Sequence, residues 1–377
     1  MTAGRTHRFE ALDGWRGICA LLIALHHFPA RGAIYHLSIV RNAWILVDFF
    51  FVLSGFVITH AYGDRLSTFE EAKSFALRRF FRLWPLHVAV LAGFVALEAY
   101  RSLATGAGFI GARSVFAIFT NIALIQSLGI HDMLTWNTPA WAVSTELWTT
   151  LLFALVVLSA GRARILVSFA LVAGGIMTLA LVSRYGMRET FDWGIARCIY
   201  GFFLGSLTYE VWKRNWLAGL NGGLFEIAGA LLGVAFLIFI PGDRSLEYLA
   251  PPVFALFTLA FARGQGVLVR LARTSGLQRL GQWSYAIYLV QMLVIVLIVS
   301  ALDSFAPGHT AVGADGAEFI RLGSPLADDA ITLVYLMFVI ASAAAAWRFV
   351  EEPAQRISIR KFLSPAKSKP SPSPTNR

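Results

Sequence analysis

The chain has 377 residues, 57% of them hydrophobic and only 14% charged, with a formal charge of +10, whereas an average soluble domain is roughly a quarter charged. The apolar surplus exceeds what one soluble core can bury, and it is gathered into uncharged runs such as Leu151 to Leu158, Leu231 to Ile240 and Tyr288 to Leu302. A water-soluble protein is excluded and lipid must be the solvent; basic excess in such a chain reflects loop orientation before it reflects nucleic acid, which is not an expected partner.

The start, MTAGRTHRFEALDGWRG, has no signal-cleavage pattern, and the first apolar run, Ile18 to Phe28, is interrupted by two histidines, so it reads as a retained first helix. At about 20 apolar residues per crossing, spans fall near Gly14–Ala30, Ala43–Ala61, Trp84–Tyr100, Trp141–Leu158, Ile165–Ser183, Trp193–Trp212, Leu224–Ile240, Tyr248–Ala262, Ser284–Leu302 and Ile331–Val350. The expected fold is an all-α integral membrane protein of about ten transmembrane helices. Cys19 and Cys198 lie inside these spans, where a disulfide or a metal cluster is implausible, and read as packing residues.

An eleventh stretch, Val115 to Leu128, is shorter and carries Asn121 and Gln126, and hydropathy alone leaves it ambiguous. Ten spans with an internal amino terminus put 21 of the 32 basic residues on the inner side and eight on the outer side. A further crossing would invert every later loop and move Arg263 to Arg279 outside, so the stretch is expected to be re-entrant or interfacial. Both termini are then cytoplasmic and the protein is a multi-pass component of the inner (plasma) membrane. Residues 1–363 form the membrane domain; residues 364–377, SPAKSKPSPSPTNR, have almost nothing apolar to bury and read as a disordered cytoplasmic tail. The outer loop Asp303 to Ala330, rich in Gly, Ala and Asp, reads as mobile rather than as a cover for a site.

Ionisable groups inside a bilayer cost several kcal/mol unless they face protein or water, so each is a functional candidate. On the first helix, Arg16 and His27 are eleven residues apart, only about 20° from eclipsed and roughly 16 Å apart along the axis, with Asp13 within about 40° of the same face and His26 about 80° away from it. Asp48 on the second helix and Glu146 on the fourth each fall about one turn below the outer surface, the depth of His27. A carboxylate at the other ring nitrogen suits a histidine that must take a proton. On the inner side, Arg79 and Arg82, three apart in Arg78-Arg79-Phe-Phe-Arg82-Leu-Trp84-Pro85, share a helical surface, with Pro85 in the first turn of the third helix. The plain reading of that cluster is a positive-inside anchor; the sharper one is a guanidinium clamp for phosphate.

The stretches LDGWRGICALLIALHHF (from Leu12), VDFFFVLSGFVI (from Val47), RRFFRLWP (from Arg78), NTPAWAVSTELW (from Asn137), LGQWSYAIYL (from Leu280) and FVEEPAQR (from Phe349) together resemble the acyltransferase 3 family, in order and across nearly the whole chain. The family's Arg followed by ten residues and a His matches Arg16 and His27, and its RxxR matches Arg79 and Arg82. The resemblance implies transfer of an acyl group, usually acetyl, from cytoplasmic acyl-CoA to an acceptor hydroxyl. The acceptor is often a surface sugar or a lipid-linked glycan, with a small molecule such as a macrolide as the alternative; polysaccharide modification by O-acetylation is the expected process. Where many members carry a histidine after the Ser284-Tyr285…Tyr288-Leu289 element, this chain has Gln291, which can hydrogen-bond but cannot shuttle protons.

These readings join into one expected path. Acyl-CoA, acetyl-CoA in the first instance, docks its phosphates at Arg79 and Arg82, the pantetheine arm runs beside Arg16, and the thioester meets His27. His27 is the expected general base, with Asp48 or Glu146 orienting it, and no metal takes part. A transporter or flippase is the competing class, since many spans with buried charges suit it equally, but no paired repeat halves with broken helices are visible.

Overall fold

The computed structural model describes residues 8–217, 219–239, 242, 244–264, 266–312 and 318–363. Eleven helices make its body: α1 Glu10–His27, α2 Leu46–Tyr62, α3 Phe69–Thr105, α4 Ala140–Ala160, α5 Arg164–Leu181, α6 Gly194–Lys213, α7 Gly222–Phe239, α8 Ala250–Ala262, α9 Ser275–Phe305, α10 Pro325–Ala346 and α11 Glu352–Leu363. The only paired strands among the described residues are β1, Thr310–Val312, and β2, Glu318–Ile320, an antiparallel ribbon in the loop before α10. Among the described residues, six stretches are long and apolar enough to cross a bilayer: Ala43–Tyr62, Phe69–Thr105, Ala140–Leu181, Gly222–Phe239, Ser275–Phe305 and Pro325–Ile357. The 42-residue stretch holds two helices, α4 and α5, broken at Gly161, whose φ of +50° a residue with a Cβ rarely adopts. The tail from residue 364 lies outside the described residues.

The end of the bundle where α1 begins is called the lower end below, and the end where it finishes the upper. Two helix pairs set the frame, and both run parallel. At the lower end of the first, Gln278 Nε2 donates to the Glu10 carbonyl at 2.7 Å; further up, Gly17 meets Leu280 and Gly281 so closely that a Cβ on either glycine would strike the other backbone. α1 and α9 therefore touch backbone to backbone, the packing that small residues permit where lipid supplies no hydrophobic drive. In the second, Asp48 meets Arg197, Gly55 meets Phe202, Thr59 Oγ1 donates to Ser206 Oγ at 2.9 Å, and Asp64 meets Lys213, so α2 descends beside α6. Asp64 lies in the lower loop and is held below the usual carboxylate range by hydrogen bonds from Lys213 and Arg164.

α3 departs most from the sequence expectation. It begins at Phe69 rather than near Trp84, behind a capping box in which Thr68 accepts the Glu71 N–H and Glu71 reaches back to the Thr68 N–H. Its 37 residues make a rod of about 55 Å. Pro85 therefore sits in the helix interior and not in the first turn. The Tyr285 hydroxyl of α9 donates to the Leu83 carbonyl at 2.6 Å, inside the turn that Pro85 disturbs.

The stretch from Val115 forms one short helix, Val115–Ile122, of eight residues or about 12 Å, too short for a hydrocarbon core of about 30 Å. Val115, Phe116, Phe119 and Ile122 stay exposed, while Asn121, Leu124 and Gln126 turn inward. Side chains of α3 and α4 satisfy its irregular backbone: Trp84 bonds the Ile122 carbonyl, His87 the Asn121 carbonyl, and Ser144 and Trp148 the Leu124 carbonyl, at 2.8 to 2.9 Å. Non-helical backbone at membrane depth survives only where protein provides such partners.

Candidate active site

A cavity of about 650 Å³ opens at the lower end between α1, α2, α3, α4 and α9, within the size range of small-molecule sites. Its lining contains four arginines, Arg8, Arg16, Arg79 and Arg82, against two acids, Asp13 and Glu146. Toward its upper end the wall turns apolar, with Val47, Phe50, Phe51, Ala142, Val143 and Tyr288. Cationic at the mouth and apolar at depth, it suits an anion with a long uncharged arm.

The early start of α3 explains the clustering. Because the helix already runs through Phe69 to Phe81, Arg79 lies inside the bundle rather than at its rim, and its Nη2 donates to Glu146 Oε1 at 2.6 Å. The same oxygen accepts from the Ser54 hydroxyl at 2.6 Å, so α2, α3 and α4 meet at one carboxylate. Arg16 contacts Asp13 at 3.4 Å, one turn away on α1. Arg82 makes no ion pair within 4 Å among the described residues and stands as an electrostatic neighbour of Arg16 and Arg79. The structure thus brings Arg16, Arg79, Arg82 and Glu146 to one wall.

It does not bring His27, Asp48 and Glu146 to one layer. Both Asp48 oxygens are taken by Arg197, whose Nε and Nη2 donate at 2.9 and 2.7 Å. The pair is sealed at 0% and 2% side-chain exposure, with the guanidinium between Trp44 and Trp141. Glu146 bonds Ser54, six residues and about 9 Å further down α2 than Asp48, so the two carboxylates differ in depth, and each meets an arginine instead of the histidine. His27 itself is outside the cavity lining. Its Nδ1 lies 3.0 Å from the Ile23 carbonyl; a carbonyl only accepts, so Nδ1 carries the proton of the neutral ring and the Nε2 lone pair is the one left for chemistry. His26 Nδ1 instead reaches the Val40 carbonyl, 3.2 Å away on a neighbouring short helix.

Two residues at this site, Ser54 and Glu351, are not legible as functional in the sequence. Ser54 reads in the sequence as one hydroxyl among apolar neighbours. Glu351 falls one residue beyond the last expected span, yet it lies in a π-helical turn, Trp347–Glu351, at 2% exposure. Gln355 donates to its Oε1 at 2.9 Å, its Oε2 has no partner among the described residues, and Arg82 and Arg16 are its cationic neighbours. The signal was there in the rule that a buried carboxylate marks function, had the span been extended by one residue. Gln291, noted in the sequence but given no task there, is fully buried, donates from Nε2 to the Tyr288 carbonyl at 3.0 Å and lies beside His27.

A helical bundle with an arginine-lined cavity backed by an apolar wall has the setting of a membrane enzyme. The chain belongs to the acyltransferase 3 family, whose acyltransferase-domain profile matches residues 9–348, and it is a multi-pass membrane acyltransferase. It is 24% identical over 394 residues to acyltransferase MdmB of Streptomyces mycarofaciens, covering 95% of this chain and 94% of that protein. It is 31% identical over 175 residues to protein 2 in the picA locus of Rhizobium radiobacter, covering 41% of this chain and 85% of that protein. Peptidoglycan O-acetyltransferase OatA of Listeria monocytogenes is 22% identical over 402 residues; the match takes in 97% of this chain and 59% of the longer protein. No solved structure matches the chain.

Proposed function

We propose that this acyltransferase moves an acyl group, acetyl in the first instance, from cytoplasmic acyl-CoA to a hydroxyl of a surface sugar or lipid-linked glycan. The observation that carries the reading is the polarity of the cavity, four arginines against two acids in its lining and an apolar upper end. CoA phosphates dock at Arg79 and Arg82, the pantetheine arm lies beside Arg16 and along Phe50 and Val143, and the thioester is delivered upward. Tyr288 lines the cavity, and its carbonyl holds Gln291, the neighbour of His27, so three residues of α9, about 4.5 Å of rise, separate the cavity wall from the histidine's level. His27 Nε2 takes the proton of the attacking hydroxyl as general base, the new ester bond forms as the C–S bond breaks, and the thiolate of CoA leaves with a proton. Glu146 holds Arg79 in place for the donor, and Asp48 serves the histidine only indirectly, by fixing α2 to α6 through Arg197.

The lower end is cytoplasmic in this reading, in the plasma membrane, with ten crossings and both termini inside. Two supports are independent: the basic residues, and the parallel helix pairs. α2 and α6 run parallel, as do α1 and α9, which requires an odd number of crossings between the members of each pair. Three long helices lie between the first pair and seven between the second, so the count is odd only if Val115–Ile122 does not cross. The acceptor class is favoured by the named activity of the Listeria relative, a peptidoglycan O-acetyltransferase.

The test is transfer from radiolabelled acetyl-CoA by the purified chain in vesicles, with glycan and small-molecule acceptors supplied separately. His27→Ala should abolish transfer, by about a hundred- to ten-thousandfold, while donor binding survives, and His26→Ala should retain most activity. An active His27→Ala beside a dead, well-folded His26→Ala overturns the donor path. Label passing only to the small molecule overturns the glycan assignment.

A further inference from the structure

Gln291 has no task in the chemistry above, yet its position is unusually constrained. The Gly17 and Gly281 backbones touch where α1 crosses α9, and the two helices run parallel from there. His27 and Gln291 are each ten residues beyond that contact, about 15 Å up their own helix, and so come level. Gln291 is fully buried, its Nε2 donates to the Tyr288 carbonyl at 3.0 Å, and its Oε1 has no partner among the described residues. An unsatisfied amide oxygen at such a place is costly, and this one lies level with the ring of His27.

We propose that Gln291 is the positioning residue of His27, its orphan oxygen receiving the Nε2–H of the imidazolium that forms when the acceptor hydroxyl gives up its proton. His27 Nδ1 is committed to the Ile23 carbonyl, so the incoming proton lands on Nε2, the nitrogen that faces the acceptor and, as an N–H, needs an acceptor of its own until the leaving thiolate collects it. Gln291 is the hydrogen-bonding side chain that stands beside that ring. The amide thus performs the office expected at first of a carboxylate, without adding charge to the bundle. Its other end, anchored on Tyr288, ties the ring to the upper wall of the cavity, where the thioester arrives.

The proposal rests on His27 as general base, and the two are tested apart. The full-length chain in lipid bilayers, labelled with ¹⁵N-histidine and assigned through His27→Ala, gives the ring-nitrogen resonances without any turnover. At a pH low enough to protonate His27, its Nε2 resonance should move in Gln291→Leu while the Nδ1 resonance holds; an unchanged Nε2 resonance overturns the proposal. In acetyl-CoA-dependent transfer, Gln291→Leu should lower kcat by about ten- to a hundredfold, the usual cost of losing a group that orients an active-site ligand, with donor KM within about twofold of the parent. Gln291→Glu, which keeps an oxygen at the same place, should recover at least tenfold of that loss. Equal losses in both variants accompanied by a lowered melting temperature mean a structural residue and sink the proposal, as does a Gln291→Leu enzyme with parental kcat. A fully active His27→Ala would instead remove the general-base reading, whatever the resonances show.

Discussion

Asp48 and Arg197 are both out of water, and a buried pair behaves unlike a surface one: truncating one partner strands the other charge, at about 3–5 kcal/mol, while exchanging both for apolar residues of similar size is nearly neutral. Asp48→Ala or Arg197→Ala should therefore lower the melting temperature in detergent and cut activity in step with the loss of folded protein, whereas Asp48→Leu with Arg197→Met should restore the melting temperature. A stable but inactive Asp48→Ala would return that carboxylate to the chemistry. Arg79 and Arg82 differ in that they face a cavity. Each charge-assisted contact to a donor phosphate is worth about 1.5–3 kcal/mol, so Arg79→Ala and Arg82→Ala should each weaken acyl-CoA binding roughly ten- to a hundredfold in a titration, with acceptor use intact. Because Arg79 also bonds Glu146, its variant should melt earlier than that of Arg82. The residue types were legible in the sequence, since charges inside apolar runs announce themselves; their partners were not. A helical wheel relates residues on one helix, and Asp48–Arg197 and Arg79–Glu146 are contacts between helices whose rotation only the assembled bundle sets.

At the level of the helix, apolar length was a good guide and polarity a poor one. Each of the ten expected spans has a helix at its centre, yet α3 starts 15 residues early because Glu70, Glu71, Lys73 and the arginines lowered the hydropathy of a segment that is helical throughout. The capping box at Thr68 was the readable clue. Val115–Ile122 was legible for the opposite reason, its brevity and its Asn121. Reporter fusions at Arg113 and Leu134 should both report outside and one at Arg162 inside. An inside signal at Leu134 would mean that this helix crosses, contrary to the directions of α2 and α6.

Across the molecule, charge counting and helix direction agree on a single orientation, although one uses loops and the other the interior. What the sequence could not supply is how far the cavity extends, because its upper limit is set by Tyr288 and Phe50, which come from different helices and look like ordinary core residues. The backbone contact of α1 with α9 has a consequence for how the protein is made. Synthesis proceeds from the amino terminus, and Gly17 must wait some 260 residues for Gly281 to emerge; until then the glycine face of α1, next to Asp13, Arg16 and His27, has no helix to dock on. The first helix to enter the membrane is thus among the last to be docked. A chain ended at Gly266 should be cleared rapidly in pulse-chase labelling, and co-expression of residues 267–377 should restore its lifetime. The active half of the enzyme would then owe its survival in the cell to a helix not yet translated when that half is inserted, so that quality control of this protein reads completion of α9 rather than insertion of α1.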